Sequence, residues 1–272
     1  MKNNLEIYCV TNKDLKFLRD LNYNLAGVGK NKFSDRYIKS DNQINIYYKE
    51  QYYSELTFHY WFWKNRLKEY LHNDSMWIGF CQKRRFWIKK SKEKNIEQSS
   101  FRDNFLTHAP NEWLNYNAII CEPLNLQVTK FSKLIKKGWK NVIQNPSILF
   151  DKKKHTIKLH FDMFHGYGII DKAIEVMSKK DRKDFKEFIN NSKQFNPHIM
   201  FIAKPKIVEM WFKDLFSWLD KCEKIFGFEQ LKGYETTRIY AYLAERFLSY
   251  WFKKYSNCLE WPYIFIDTDD KY

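Results

Sequence analysis

The chain has 272 residues, 47 of them Lys or Arg and 32 Asp or Glu, for a formal net charge of +15. Aromatic residues make up 19% of it, 23 Phe, 18 Tyr and 10 Trp, which excludes a mainly disordered chain, and the length is ample for a core. The positive excess favours acidic partners such as nucleic acid, anionic lipid headgroups or phosphorylated sugars, with a Lys- and Asn-rich coding bias as the competing source.

Five cysteines (Cys9, Cys81, Cys121, Cys222 and Cys258) form no CxxC pair, and all but Cys258 sit in apolar runs. There Cys behaves as a small hydrophobe, which argues for a reducing compartment and against a structural zinc. The sequence has no uninterrupted apolar run of about 18 residues and no amino-terminal leader pattern. The expectation is a soluble, cytoplasmic protein, with peripheral contact at the anionic inner face of a membrane left open.

In chain order, Leu5 to Val10 reads as a first strand, closed by a helix N-cap in Thr11-Asn12-Lys13-Asp14. Residues 22–50 are polar and read as a strand end and a long loop. From Tyr52 to about Leu71 the apolar spacing is helical and nearly all-round, so that helix is expected to be buried. Met76 to Cys81 is the next strand, Lys89 to Gln98 a charged loop, and Ala118 to Cys121 a strand ended by Pro123. Thr129 to Ile143 alternates basic and apolar residues as a surface helix does. Ile157 to Phe161 reads as a strand leading into Asp162 and His165, followed by helices over about 168–177 and 180–192. His198 to Ala203 is a strand, Lys206–Phe226 and Glu235–Tyr255 are long amphipathic helices, and Leu259–Asp267 holds an edge strand with Pro262. Strands alternating with helices, then a helix-rich last third, describe an α/β fold with a mostly parallel sheet in a single domain. Its halves divide near residues 125 and 126.

Several clusters carry possible chemistry. Arg84-Arg85 closes an apolar strand, where a sheet of this type binds ligands, and paired guanidinium groups suit a phosphate. Adjacent residues of an extended chain point to opposite sides, so one arginine can face a cleft while the other pairs, with Glu55 as a candidate partner. Glu55 sits on an aromatic helix face where a carboxylate needs a partner, and Lys64-Asn65 closes that stretch. Asp162 and His165 stand within a short run ending in Gly166 and offer a general base. Arg238, Tyr242 and Glu245 share a helix face, beside Arg246. Each cluster also has an ordinary structural reading. There is no Gly-rich phosphate loop, HExxH or GxSxG. The one DxD-type pair, Asp267-Thr268-Asp269, stands at the carboxy-terminal end, so a divalent ion (Mg or Mn) is possible but has no convincing ligand set.

The order of these segments resembles a bacterial family of capsular and exopolysaccharide synthesis proteins, long catalogued as a domain of unknown function and placed with GT-A-type glycosyltransferases. The resemblance rests on Val10-Thr11, then on Tyr52, Glu55, Leu56, Thr57, Tyr60, Trp61, Trp63, Lys64 and Asn65, and then on the Arg84-Arg85 pair. It continues through Asn196-Pro197-His198 and Arg238, Tyr242, Glu245 and Arg246. A His-Tyr-Arg-Arg-Tyr motif is matched only in part, with Gln82 and Lys83 at its first two positions, so no histidine role carries over. The resemblance implies a Rossmann-related sheet that binds a nucleotide-sugar and passes the sugar to a growing glycan or lipid-linked glycan. Val10, Thr11, Tyr52, Glu55, Lys64, Asn65, Arg84 and Arg85 are then expected on the donor side. Met200, Phe201, Arg238, Tyr242, Glu245 and Arg246 are expected on the acceptor side, with Asp162 or His165 as base. The alternatives are a basic, aromatic-rich nucleic-acid-binding protein, which lacks any RRM-, KH- or HTH-like motif, and an inactive scaffold of the same fold.

Overall fold

A computed structural model describes residues 4–19, 21–90, 101–126 and 155–267. Residues 91–98 of the charged loop, and all of the expected helix at 129–143, lie outside them. The strands in chain order are β1 (Leu5–Thr11), β2 (Asn24–Gly27), β3 (Tyr37–Lys39), β4 (Trp77–Gln82), β5 (Arg85–Trp87), β6 (Ala118–Cys121), β7 (Leu124–Asn125), β8 (Gln194–Phe195), β9 (Phe201–Ala203), β10 (Cys258–Trp261) and β11 (Tyr263–Phe265).

The main sheet runs β10-β6-β9-β4-β1-β2-β3. Strands β3, β2, β1 and β4 are mutually parallel, β10 is parallel to β6, and β9 is antiparallel to both its neighbours. Strand β5 folds back from β4 and pairs antiparallel with β11. The chain forms two compact units: Met1–Glu122, His198–Asp214 and Trp251–Tyr272 in one, Pro123–Pro197 and Leu215–Tyr250 in the other. The first holds the main sheet; the second holds the β7–β8 pair and the helices Ile157–His165, Ile169–Glu175 and Lys179–Asn191. Among the described residues no helix is long and apolar enough to cross a membrane.

The first unit's core follows from strand alternation. Leu5, Ile7, Cys9, Trp77, Cys81, Ile119, Cys121 and Ile202 fill one face of the sheet together with Phe17, Trp113 and Trp261. On the other face the helix Leu56–Asn65 brings Phe62 to 4.8 Å from Tyr8 and 5.3 Å from Phe80. Gly79 at the centre of β4 leaves room that a side chain would fill, since a Cβ there would meet Ile202 at 2.8 Å and Ile7 at 3.1 Å.

Some expected elements change. Ile157–His165 is a helix, not a strand: Ile157, Leu159 and Phe161 alternate as in a strand, but the buried Ile157, Phe161 and His165 recur every fourth residue, and the Thr156 hydroxyl accepts from Leu159 N–H as an N-cap. The helix expected from Tyr52 breaks at Ser54, whose φ is 52°, and the regular helix is Leu56–Asn65. The one expected at Glu235–Tyr255 is interrupted at Arg238, and the first strand is followed by a turn and a short helix beginning at Lys16. Residues 22–50 contain two short strands, β2 and β3.

The same helix buries a titratable group. His59 is 1% exposed, its ring 4.5 Å from Phe80 and 5.7 Å from Phe212, and burial holds its pKa down to about 3. The folded state keeps this imidazole neutral while the unfolded chain takes up a proton below about pH 6.5. Its contribution to stability is therefore present above that pH and lost as pH falls towards 3. His160 in the second unit, lowered to about 3 by burial and then by Arg246, acts with the same sign. Denaturant unfolding at pH 7 and pH 4 is expected to show His59→Leu losing less stability on acidification than the wild type, by on the order of 3 kcal/mol. An unchanged acid dependence would refute the assignment.

Candidate active site at the carboxyl ends of β1 and β4

Because β1 and β4 are parallel neighbours, their carboxyl ends emerge together, with Val10 opposite Gln82. Val10 is buried, so what it offers there is backbone, and its carbonyl accepts from Lys83 N–H. Thr11 closes β1 with a turn. Its hydroxyl donates to the Lys13 carbonyl at 2.7 Å and accepts from Lys13 N–H at 3.0 Å, while its carbonyl accepts from Val28 N–H. Asp14 holds this turn through a bidentate pair with Arg19 (3.0 and 2.7 Å) and a bond from Ser34 N–H. Arg19, above all, keeps the Asp14 carboxyl below the usual carboxylate range.

At the end of β4 the chain reverses through Lys83 and Arg84, so that Gln82 pairs across to Arg85. The Gln82 side-chain NH₂ donates to the Glu55 carboxylate, and its carbonyl oxygen accepts from Arg85 Nη1 at 3.3 Å. One amide thus bridges an acid and a base, with its orientation fixed by both. Arg84 is the arginine that finds a carboxylate: its Nε lies 3.5 Å from Asp267 Oδ1. Arg85 is half-buried, with Phe265 at 5.4 Å from its guanidinium carbon, and forms no ion pair with a carboxylate among the described residues. A half-buried cation met, among the described residues, by a neutral amide and a ring leaves positive charge for a ligand to satisfy.

The sequence assigns neither Gln82 nor Asp267 to this site: Gln82 enters only as a departure from the family motif, and Asp267 only as part of the carboxy-terminal DxD-type pair. Gln82→Leu removes both bonds of the bridge and is expected to cost about 1–3 kcal/mol in denaturant unfolding. A change within error would show that the bridge contributes nothing.

Other candidate donor residues lie elsewhere. Asn65 clamps the preceding loop through Ile44 O (2.8 Å), Trp61 O (2.8 Å) and Ile44 N–H (3.3 Å). Lys64 is exposed and lies 3.5 Å over the Trp63 ring. Both stand about 15 Å along the helix axis from Glu55. Tyr52 is half-buried in the short helix Glu50–Tyr53. Met200 and Phe201, expected beside an acceptor, are wholly buried and serve the first unit's core. A cleft of about 360 Å³ lined by Leu5, Glu6, Ile7, Asn22, Asn24 and Thr107, among others, opens at the amino ends of β1 and β2, opposite the Gln82 end.

In the second unit, Asp162 accepts from Lys158 Nζ at 2.7 Å and from Gly168 N–H at 3.3 Å, and Lys158 also pairs with Asp171. Burial raises the Asp162 pKa, against the opposing pull of Lys158. His165 Nδ1 donates to the Glu235 carbonyl at 2.9 Å, and its ring stacks on Tyr242 with centroids 3.8 Å apart. Arg246 is 2% exposed, donates to Glu245 and to His160 Nδ1, and lies 4.1 Å over the Phe195 ring. Arg238, half-buried, ends the short helix Tyr234–Thr237. Among the described residues no group of three or more His, Cys, Asp or Glu is gathered as for a metal ion.

The family described as a domain of unknown function, DUF4422, matches residues 6–257. The chain belongs to the DUF4422 family. No curated protein matches this DUF4422 chain. Among solved structures, the apo form of the bifunctional glycosyltransferase WbbM is similar with a TM-score of 0.62 and 19% identity, over 97% of this chain and 46% of that one. At that identity the likeness is one of fold, and it accords with the mixed, mostly parallel sheet flanked by helices that is expected from sequence. The chain spans less than half the length of that glycosyltransferase.

Proposed function

We propose that this DUF4422 protein is a glycosyltransferase that takes a sugar from a nucleotide-sugar donor and passes it to a growing surface glycan. The observation that carries the reading is Arg85, a half-buried guanidinium without a carboxylate partner among the described residues, at the carboxyl end of β4. Sheets of this kind bind ligands at that edge, and departure of a nucleoside diphosphate builds negative charge that preorganised cations stabilise. Arg85 meets that charge, Gln82 and Glu55 fix its direction, and Arg84 adds a second cation. The likeness to a glycosyltransferase of the same fold supports the reaction class.

Asp162 and His165 of the second unit are the two candidate bases: His165 Nδ1 donates to the Glu235 carbonyl, and Asp162 is engaged with Lys158 and Gly168. The net charge of +15 suits a lipid-linked acceptor at an anionic membrane surface.

The test is to incubate the protein with UDP-, GDP- and dTDP-sugars and measure release of the nucleoside diphosphate. Turnover of a donor, raised by glycan acceptors, is expected. No turnover of any donor, together with tight salt-dependent retention on nucleic acid, would replace the proposal with the rival that the same charge suggests.

A further inference from the structure

Both arginines of the candidate site meet one other segment of the chain. Strand β11 pairs with β5 in the register Tyr263↔Trp87, Ile264↔Phe86 and Phe265↔Arg85, and the next residue, Ile266, donates its N–H to the Arg84 carbonyl at 2.9 Å. This register lays the Phe265 ring 5.4 Å from the Arg85 guanidinium carbon and brings the Asp267 carboxylate 3.5 Å from Arg84 Nε. Asp267 is half exposed and Arg84 is about one-third exposed, so both side chains meet solvent, although the Arg84 Nε that faces Asp267 is itself buried.

We propose that Asp267 is a specificity-determining residue: an internal carboxylate that holds Arg84 in place of a ligand phosphate and that a ligand must displace. The inference rests on the reading of Arg84 and Arg85 as the diphosphate site. A single carboxylate in a half-exposed pair is a weak competitor, because solvent screens it. A diphosphate carries more charge, offers several acceptor oxygens and engages Arg84 and Arg85 together, so it displaces Asp267. A ligand of lower charge that meets Arg84 alone gains little over the carboxylate already there. The pair therefore favours diphosphates over monophosphates without any contact to the nucleoside.

The experiment is calorimetric titration of inorganic pyrophosphate and inorganic phosphate into the full chain as wild type, Asp267→Asn and Arg84→Ala. Asp267→Asn is expected to bind pyrophosphate about threefold to fivefold more tightly, the range a screened pair supports. It should gain proportionally more for phosphate, narrowing the preference between the two, while Arg84→Ala weakens both. Asp267 is exposed enough for the Asn variant to fold, and Asp267→Ser provides a second test with the same expected direction. Unchanged or weaker pyrophosphate binding in both Asp267 variants, with the wild type binding normally, overturns this inference and leaves the proposed function standing. No pyrophosphate binding by the wild type or by any variant overturns both.

Discussion

Arg85→Ala is expected to lower kcat/KM for sugar transfer by about 100- to 1,000-fold, the range found when one preorganised donor to a developing charge is removed. The protein should remain folded, because what Arg85 meets among the described residues is the Gln82 amide and the Phe265 ring, neither of which becomes an isolated buried charge when it leaves. Arg85→Lys keeps the charge but loses the planar, two-pronged donor and is expected to recover only part of the activity. The fall should appear mainly in kcat, since the charge that Arg85 meets is greatest as the diphosphate departs. A variant with normal kcat and merely reduced stability would make Arg85 a structural residue.

The second large effect concerns Phe201. It is wholly buried, with ring centroids 5.1 Å from Phe80 and Phe252 and 5.9 Å from Phe212. Phe201→Ala is expected to destabilise the fold by about 3–5 kcal/mol, because a large aromatic leaves a cavity that its neighbours cannot close. Denaturant unfolding followed by tryptophan fluorescence measures this directly. An acceptor-lining residue would behave in the opposite way, raising the acceptor KM with little change in stability. That pattern would return Phe201 to the candidate acceptor side.

How much of this was legible in the sequence depended on the range of the interactions involved. Strands β1, β4 and β6 are short apolar runs closed by turn residues, and that pattern is local. The helix at Ile157 reads as a strand because an apolar residue at every second position over five residues is also apolar at every fourth, and only the Thr156 cap and the burial of His165 separate the two. Strands β2 and β3 are short segments between polar turns, with too few residues to show a period. Met200 and Phe201 are expected on the acceptor side, and their complete burial is not legible because an apolar strand does not announce which of its residues end inside.

In the candidate site, the double arginine stands out in the sequence, but its partners do not. Gln82 joins Glu55 to Arg85 across a separation of 27 residues, and no pattern marks a neutral amide as the joint between two charges. Asp267 reaches Arg84 only because β11 returns to pair with β5.

The central claim is that Arg84 and Arg85 together hold a diphosphate at the carboxyl end of β4. Its most direct measurement is calorimetric titration of UDP and GDP into the wild type and into the Arg84→Ala, Arg85→Ala double variant, with circular dichroism showing both folded. The expected result is saturable binding of one nucleotide by the wild type and its loss in the double variant. Equal affinity in the two proteins would contradict the claim.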